Sequence, residues 1–381
     1  TMKITSVEPF VWRGWRECVL VRVHTDEGLV GVGEGTCGTR TPSIMGAIQE
    51  LKQYLVGQDP TCIEHLWQTM YRAPFWRQGA AYVSAVSAID IALWDILGKV
   101  TGLPIYKLLG GPTRRKIKVY THIHSWSQLD RLDYGKVEAE LVGLKQRGFR
   151  AFKVPPFEAT DHVPSPRVIR NAIDRIAKLR QLIGPECELM LDMHGRLTHT
   201  ASRIAVQMLE GMDILFVEEP CWPEYPAGLA EVRAATTIPI AAGERVFTKW
   251  QWRQVLEQGC VSVAQPDVCR AGGISETRRI AAMCEAYLVP LAPHSPMSAI
   301  SNLACLHIDA AIANFVIQEM VSRSLGDGLI RQPIRVEDGY AALPAGPGLG
   351  AELIPDEEMP CENKTMSVPQ FFHEDGSVAD W

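Results

Sequence analysis

The 381-residue chain lacks several features that would place it in whole classes of protein. It has no basic run, and its formal net charge is −6 at pH 7, which argues against a nucleic-acid or anionic-membrane partner. No apolar stretch approaches the roughly 20 residues that a helix needs to cross a bilayer. Met2-Lys3 leads directly into an alternating strand pattern, so we expect no signal peptide and a cytoplasmic location.

The ten cysteines include no pair with CxxC spacing. Most lie in apolar contexts, as Cys260, Cys284 and Cys305 do, which predicts reduced structural thiols rather than disulfides or zinc ligands. The hydrophobic share of 46% and the charged share of 22% are typical of a globular protein. The length exceeds that of one ordinary core, and it favours a barrel-sized domain of roughly 250 residues with a smaller one.

The smaller domain is expected over residues 1–112. Three alternating segments predict an antiparallel meander: 3–12, 18–24 and 29–34. Three segments of helical spacing follow: 44–56, 62–72 and 81–100. Gly102 and Pro104 end the last helix. This order predicts an α+β capping domain.

Over residues 113–324, short apolar runs alternate with longer helical stretches. The eight runs are 117–121, 151–154, 189–193, 214–218, 239–242, 261–265, 289–292 and 315–319. Eight such strands, each covered on both faces, are what a (β/α)₈ or TIM barrel requires. A doubly wound open sheet is the alternative, and the count of eight makes it less favoured. The predicted class is therefore α/β.

The remaining segment, 325–381, is rich in Gly, Pro and acidic residues. We expect it to return and pack on the capping domain. Three loops could cover the mouth of the barrel: 12–17, 37–42 and the proline-rich 155–166.

Carboxylates follow three successive strands of the predicted barrel. The acids are Asp192, Glu218 and Glu244, and the step from each to the next is 26 residues, which is one strand, one helix and two loops. Because all strands of such a barrel end at one face, the three acids are expected to converge. Converging carboxylates repel unless a cation lies among them, and oxygen ligands suit Mg²⁺, one per subunit. The alternative is three unrelated surface or capping acids.

Two histidines are candidates for acid–base chemistry. His294 ends the seventh strand, and Asp267, at the end of the sixth, could fix its tautomer and make it a better base. His194 lies two residues beyond Asp192, so in an extended strand both face the same side, and His194 could act as a general acid opposite His294. The alternatives are a satisfied turn histidine at 294 and a loop histidine at 194.

Further polar residues at strand ends are candidates for binding a substrate. Lys153 could reach a substrate carboxylate or be a surface lysine. Glu319 could hydrogen-bond a substrate or ion, and Arg245 could bind substrate or pair with strand-end carboxylates. His122 and His124 are undecided.

These residues together resemble the enolase superfamily, mandelate racemase type, along nearly the whole chain. The resemblance implies Mg²⁺ on the three acids, His294 with Asp267 as the base dyad, and His194 as the acid. Within the superfamily the likeness is greatest to acid sugar dehydratases of the galactonate type. The matching stretches are Asp192-Met193-His194-Gly195-Arg196, Ala241-Ala242-Gly243-Glu244-Arg245, Leu291-Ala292-Pro293-His294 and His373-Glu374-Asp375.

One position departs from the racemases. They carry a second lysine two residues after the first, where this chain has Pro155, and this counts against a two-base racemase. We expect instead a dehydration that converts an aldonic acid to a 2-keto-3-deoxy sugar acid, in an enzyme that forms homo-oligomers. The alternatives are a gluconate or mannonate dehydratase, an epimerase of the same superfamily, and a regulator that binds sugar acids without turnover.

Overall fold

The structure, a computed structural model, describes most of the chain. The described ranges are 1–77, 79–127, 132–157, 160–326, 328–359, 371–373 and 375–380. Positions 158 and 159 of the proline-rich loop, Glu374 and residues 360–370 lie outside the described residues.

The N-terminal part has the predicted order of strands followed by helices. The strands are β1 (Ile4–Arg13), β2 (Glu17–Thr25) and β3 (Val30–Glu34), and they form an antiparallel meander. The helices are α1 (Thr41–Leu51), α2 (Ile63–Arg72), α3 (Ala80–Thr101) and α4 (Ile105–Leu108), with a 3₁₀ turn at Lys52–Tyr54. Gly102 ends α3 in the left-handed conformation, with a φ of 69°, because glycine adopts it without a steric cost.

Helix α3 corrects one expectation. Its 22 residues, with a mean hydropathy of 1.5, are long and apolar enough to cross a membrane by length and composition. The prediction that the chain has no such stretch is therefore wrong. Within the structure, 72% of that window is buried against other parts of the chain. Such burial is typical of a core helix, so the composition is weak support for a membrane span.

A parallel sheet follows and closes into the predicted barrel. Its strands are β4 (Lys116–His122), β5 (Ala151–Val154), β6 (Glu188–Asp192), β7 (Ile214–Glu218), β8 (Ile240–Ala242), β9 (Val263–Ala264) and β10 (Gln318–Glu319). Neighbours in this order pair from β4 to β9, and β10 pairs with β4 in parallel. The fold is thus an α/β barrel with an N-terminal cap.

The predicted seventh strand, 289–292, forms isolated bridges rather than a regular strand. Leu291 bridges Ala264 on one side and Phe315 on the other, which completes the circle between β9 and β10. Pro290 lies within this segment and Pro293 directly follows it, and proline has no N–H to donate to a ladder. The run therefore has too few donors for a continuous ladder.

The barrel interior is filled by one apolar side chain from each of its eight segments. They are Tyr120, Ala151, Met190, Phe216, Ala241, Val263, Ala292 and Ile317. A packed interior of this kind is typical of the fold and confines the chemistry to the carboxyl ends of the strands.

Within the described ranges, seven helices surround the barrel and cover its outer face with a second, larger apolar cluster. They are α5 (Tyr134–Gln146), α6 (Pro166–Ile183), α7 (His199–Met208), α8 (Pro226–Ala234), α9 (Thr248–Glu257), α10 (Gly273–Ala286) and α11 (Ala299–Ala311).

The C-terminal segment contacts both the cap and the barrel. Its hairpin β11 (Val336–Glu337) and β12 (Tyr340–Ala342) adds to β4 in antiparallel orientation. Further on, Leu349 donates its backbone N–H to Asp95 of α3 at 2.9 Å. The last strands are β13 (Phe371–Phe372) and β14 (Val378–Ala379), and beside them Asp380 contacts His162 at 2.7 Å. The segment also contacts the cap near its start, where Trp12 Nε1 donates to the Gly328 carbonyl at 3.1 Å. The domain limits at 112 and 324 stay predictions.

Candidate active site

Acidic side chains gather where the barrel strands end. Asp192 and Glu218 are paired neighbours at the ends of β6 and β7. Glu244 lies two residues beyond β8. One ligand atom each from Glu218, Glu244 and His294 lies within 4.8 Å of the other two. The parallel register and the common strand direction bring these groups to one face, as the equal spacing predicted.

The compact group differs from the predicted acid triad by one member. Glu218 and Glu244 belong to it, whereas its third member is His294 rather than Asp192. The Asp192 carboxylate is held by other groups: Oδ2 lies 3.1 Å from His194 Nε2 and 3.3 Å from Lys153 Nζ, and Oδ1 accepts the His194 N–H. Lys153 contacts both Asp192 and Glu218, and it therefore connects Asp192 to this group.

The donor set fits a divalent cation. Glu218 Oε1 is buried and accepts no hydrogen bond within the described part of the chain, and such an atom normally has a partner. Burial, followed by repulsion from Asp192, raises the pKa of Glu218 to about 8. A hard ion with oxygen ligands would satisfy the free oxygen and stabilise the charged form. Asp192, Glu218 and Glu244 are the carboxylates that could hold it.

Lys153 is a buried cation, not a surface lysine. Its Nζ lies 2.6 Å from Glu218 Oε2, 2.8 Å from Glu319 Oε1 and 3.3 Å from Asp192 Oδ2. Burial alone would lower the pKa of Lys153, but the surrounding carboxylates raise it well above its usual value. Lys153 is therefore a fixed positive charge beside the acids.

His294 and Asp267 form the predicted dyad geometry. His294 Nδ1 lies 2.7 Å from Asp267 Oδ2, and the two residues form a bridge between neighbouring segments. Burial would lower the pKa of His294, but Glu244, Glu319 and the bond to Asp267 raise it to about 9. With Nδ1 bonded to Asp267, the ring nitrogen that remains for proton transfer is Nε2, which lies 3.1 Å from Glu244 Oε2.

His194 lies at the site, but the prediction that it shares an extended strand with Asp192 is wrong. Strand β6 ends at Asp192, and His194 has a φ of 50°, in the left-handed region. The rule that residues two apart face the same side therefore does not apply here. A turn, held by the Gly195 N–H donating to the Glu219 carbonyl at 2.7 Å, brings the imidazole back to Asp192. Its side chain is 21% exposed, against 6% for His294.

Glu319 connects several groups at the end of β10. Its Oε1 lies 2.6 Å from His122 Nε2, and its Oε2 accepts the Ser295 N–H at 2.8 Å. His122, undecided from sequence, is thus a partner of Glu319. His124 lies in the following 3₁₀ turn, where burial lowers its pKa to about 4.

Arg245 is paired with a neighbouring acid. Its Nε and Nη2 lie 3.0 and 2.7 Å from Glu219 Oε2, and Glu219 itself is buried. This is the pairing with a strand-end carboxylate that the sequence left open.

Sequence reasoning missed Arg270. Its Nη1 lies 2.9 Å from Glu244 Oε2, and its Nε lies 3.4 Å from Asp267 Oδ2. It joins a candidate ion ligand to the acid that orients His294. The sequence feature that could have identified Arg270 is that it is a single cation in the otherwise apolar turn after Asp267.

The capping domain closes one side of the mouth. Arg16 Nη1 donates to the Pro296 carbonyl at 2.5 Å, and Trp15 Nε1 donates to the Met297 carbonyl at 3.1 Å. The loop 12–17 therefore lies against the segment that follows His294, as expected of a loop that covers the site.

The structure is a capped (β/α)₈ barrel with converging acids, a His–Asp dyad and a second histidine. These features define a class of enzyme that transfers protons at a carbon next to a carboxylate. Residues 10–110 match the mandelate racemase / muconate lactonizing enzyme N-terminal domain, and residues 136–358 match the enolase C-terminal domain-like family. The chain belongs to the enolase superfamily.

Individual relatives are similar over the full length. A D-galactonate dehydratase from Ralstonia pickettii is 40% identical and one from Cronobacter sakazakii is 39% identical, each over 100% of both chains. An enolase-superfamily structure from Salmonella Typhimurium is 32% identical, with a TM-score of 0.86 over 94% of this chain and 98% of that one. A mandelate racemase/muconate lactonizing enzyme-like protein from Rubrobacter xylanophilus is 31% identical, with a TM-score of 0.86 over 94% and 96%.

Proposed function

We propose that the protein is a Mg²⁺-dependent acid sugar dehydratase, a hydro-lyase acting on an aldonate of the D-galactonate type. The product is a 2-keto-3-deoxy sugar acid. The observation that carries the proposal is the placement of two imidazoles at one acidic cluster, one in a dyad with Asp267 and one beside Asp192. A dehydration needs one base and one acid, and Pro155 leaves no second lysine base. Full-length relatives named D-galactonate dehydratase support the choice.

The metal is proposed to be held by Asp192, Glu218 and Glu244. When bound, it supplies positive charge at the substrate carboxylate, where charge develops as the neighbouring C–H bond breaks. The ammonium of Lys153, 2.6 Å from Glu218, adds a second positive charge at the same place and would orient the carboxylate.

His294 is the proposed base for the C2 proton. Asp267 holds Nδ1, so Nε2 points toward the acidic cluster and accepts the proton. The carboxylates of Glu244 and Glu319 favour the protonated imidazole and so favour proton uptake.

His194 is the proposed acid for the departing C3 hydroxyl. Its imidazole is 21% exposed, and its Nε2 lies 3.1 Å from Asp192 Oδ2. Glu319 and Arg245 are proposed to contact the substrate hydroxyls directly or through their partners His122 and Glu219.

The test is a panel of aldonates incubated with the Mg²⁺-loaded enzyme and assayed for 2-keto acids. Galactonate is expected to give a 2-keto-3-deoxy product. Turnover of gluconate or mannonate alone would change the substrate, and a C2 epimer without a keto acid would indicate an epimerase. Binding without either product across the panel would indicate a regulator and refute the dehydratase. Homo-oligomerisation and a cytoplasmic location belong to the proposal as well.

A further inference from the structure

Helix α10 begins without a capping side chain of its own. Its N-cap is Gly272, with a φ of 117°, and it offers no side-chain acceptor. The first N–H groups of any helix lack partners within the helix and need acceptors from elsewhere. Here two of the acceptors come from the capping domain.

Two buried side chains of α3 supply them. Asp90 Oδ2 accepts the Ser275 backbone N–H at 3.0 Å, and Asp90 Oδ1 accepts the Ser275 hydroxyl at 2.6 Å. Ser87 Oγ accepts the Gly272 N–H at 2.9 Å. Asp90 has no exposed surface, so water does not compete for these bonds.

The two elements approach too closely for a side chain at position 273. A Cβ on Gly273 would lie 2.3 Å from Asp90 Oδ2. Two indole N–H groups tighten the junction: Trp94 donates to Ser275 Oγ and Trp67 donates to the Gly272 carbonyl, both at 2.8 Å. The start of α10 is therefore fixed to α3 on several sides.

The turn between β9 and α10 carries two groups of the active site. The Asp267 carbonyl accepts the backbone N–H groups of Arg270 and Ala271 at 3.0 and 2.7 Å. The Gly273 N–H donates to the Val268 carbonyl at 3.1 Å. These bonds make the turn one rigid piece, so a shift of Gly273 also moves Asp267 and Arg270.

We propose that Asp90, in the capping domain, is a positioning residue for the base His294. By holding the first turn of α10, it sets the 2.7 Å contact of Asp267 with His294 and the 2.9 Å contact of Arg270 with Glu244. The inference rests on the proposed function, in which His294 removes the C2 proton.

The test uses Asp90→Ala in the full-length, Mg²⁺-loaded enzyme. A misplacement of about 1 Å costs about 100-fold in rate, so kcat and C2–H exchange with deuterated solvent should both fall roughly 10- to 100-fold. KM should change little, because the proposed substrate contacts lie on other segments. Asp90→Asn should restore most of both rates, since an amide can accept the Ser275 N–H and donate to its hydroxyl.

Asp95→Ala is the matched control. Asp95 lies on the same helix and is equally buried, but it accepts the Val32 and Leu349 N–H groups instead of capping α10. Both alanine variants should lower the thermal midpoint, while Asp95→Ala should leave C2 exchange close to wild type. Equal exchange rates in the two variants would reduce Asp90 to a packing role and overturn the inference.

Two further measurements separate the possible failures. If Asp90→Ala does not fold, Ser275→Ala, which removes one of the two bonds to Asp90 and the bond from Trp94, should lower kcat several-fold, and an unchanged kcat overturns the inference. If the wild type itself shows no turnover and no exchange, the proposed function fails. The downfield proton resonance of His294 Nδ1 then decides the positioning role: it should shift in Asp90→Ala and not in Asp95→Ala, and an unshifted resonance overturns it.

Discussion

Replacing Lys153 by Met should strongly destabilise the protein when no divalent ion is present. The side chain is 3% exposed, and its ammonium lies 2.6, 2.8 and 3.3 Å from three carboxylates. At an effective dielectric constant of about 20, each contact is worth roughly 5–6 kcal/mol of gross attraction. Desolvation offsets most of it, and removing one partner of a buried ion pair typically costs about 3–5 kcal/mol, because the remaining charge is left uncompensated.

The assay is urea unfolding with and without chelator, with Lys145→Met as the matched control. Lys145 pairs with Glu186 at 3.1 Å, where the side chains are 31% and 60% exposed, so its loss should cost about 0–1 kcal/mol. Lys153→Met should lose about 3–5 kcal/mol in chelator. An excess of Mg²⁺ at about 100 times its dissociation constant should return about 2.7 kcal/mol. A loss in Lys153→Met as small as in the control would show that the buried carboxylates do not depend on this cation.

Three further predictions concern the metal, the pH dependence and the barrel interior. Exhaustive chelation should abolish turnover and restored Mg²⁺ should recover it; full activity in chelator would contradict the ion's role. Burial raises the pKa of Asp90 to about 7 from the 3.8 of an unfolded aspartate, so over this range the native state binds more protons than the unfolded state. The free energy of unfolding should therefore fall as pH rises from about 4 to 7. Asp90→Asn should flatten that slope, and an unchanged slope would refute the raised pKa of Asp90. Phe216→Ala, at a site with no exposed surface, should cost about 3–5 kcal/mol in denaturant unfolding, and a loss below about 1 kcal/mol would mean that the interior repacks around it.

The barrel and most of its site could be predicted because both depend on periodic features. Parallel strands end at one face, so the spacing of Asp192, Glu218 and Glu244 predicted that they converge; in the structure the compact group contains Glu218 and Glu244 with His294 in place of Asp192. The placement of Asp267 and His294 at neighbouring strand ends predicted their contact, which the structure shows at 2.7 Å.

The rest depends on local backbone geometry that the pattern does not encode. The left-handed turn at His194 replaced the assumed extended strand. Prolines on either side of Leu291 reduced a predicted strand to bridges. Both features arise from single residues, and an average over a strand-length window does not detect them.

Side-chain partners were the hardest features to predict. Arg270 reaches Glu244 across two strand ends, and Lys153 reaches three acids from three different segments. Such choices depend on which charges burial leaves without partners, and that is known only once the strands are placed side by side. The same holds for Asp90, whose partner Ser275 lies 185 residues further along the chain.

The central claim is that His294 and His194 act in turn on a substrate held at the acids. The most direct measurement is deuterium incorporation at C2 of galactonate in Mg²⁺ and deuterated water, together with keto-acid formation. His194→Asn should incorporate deuterium while forming no product, and His294→Asn should do neither. Continued C2 exchange in His294→Asn, or normal product formation in His194→Asn, would contradict the account.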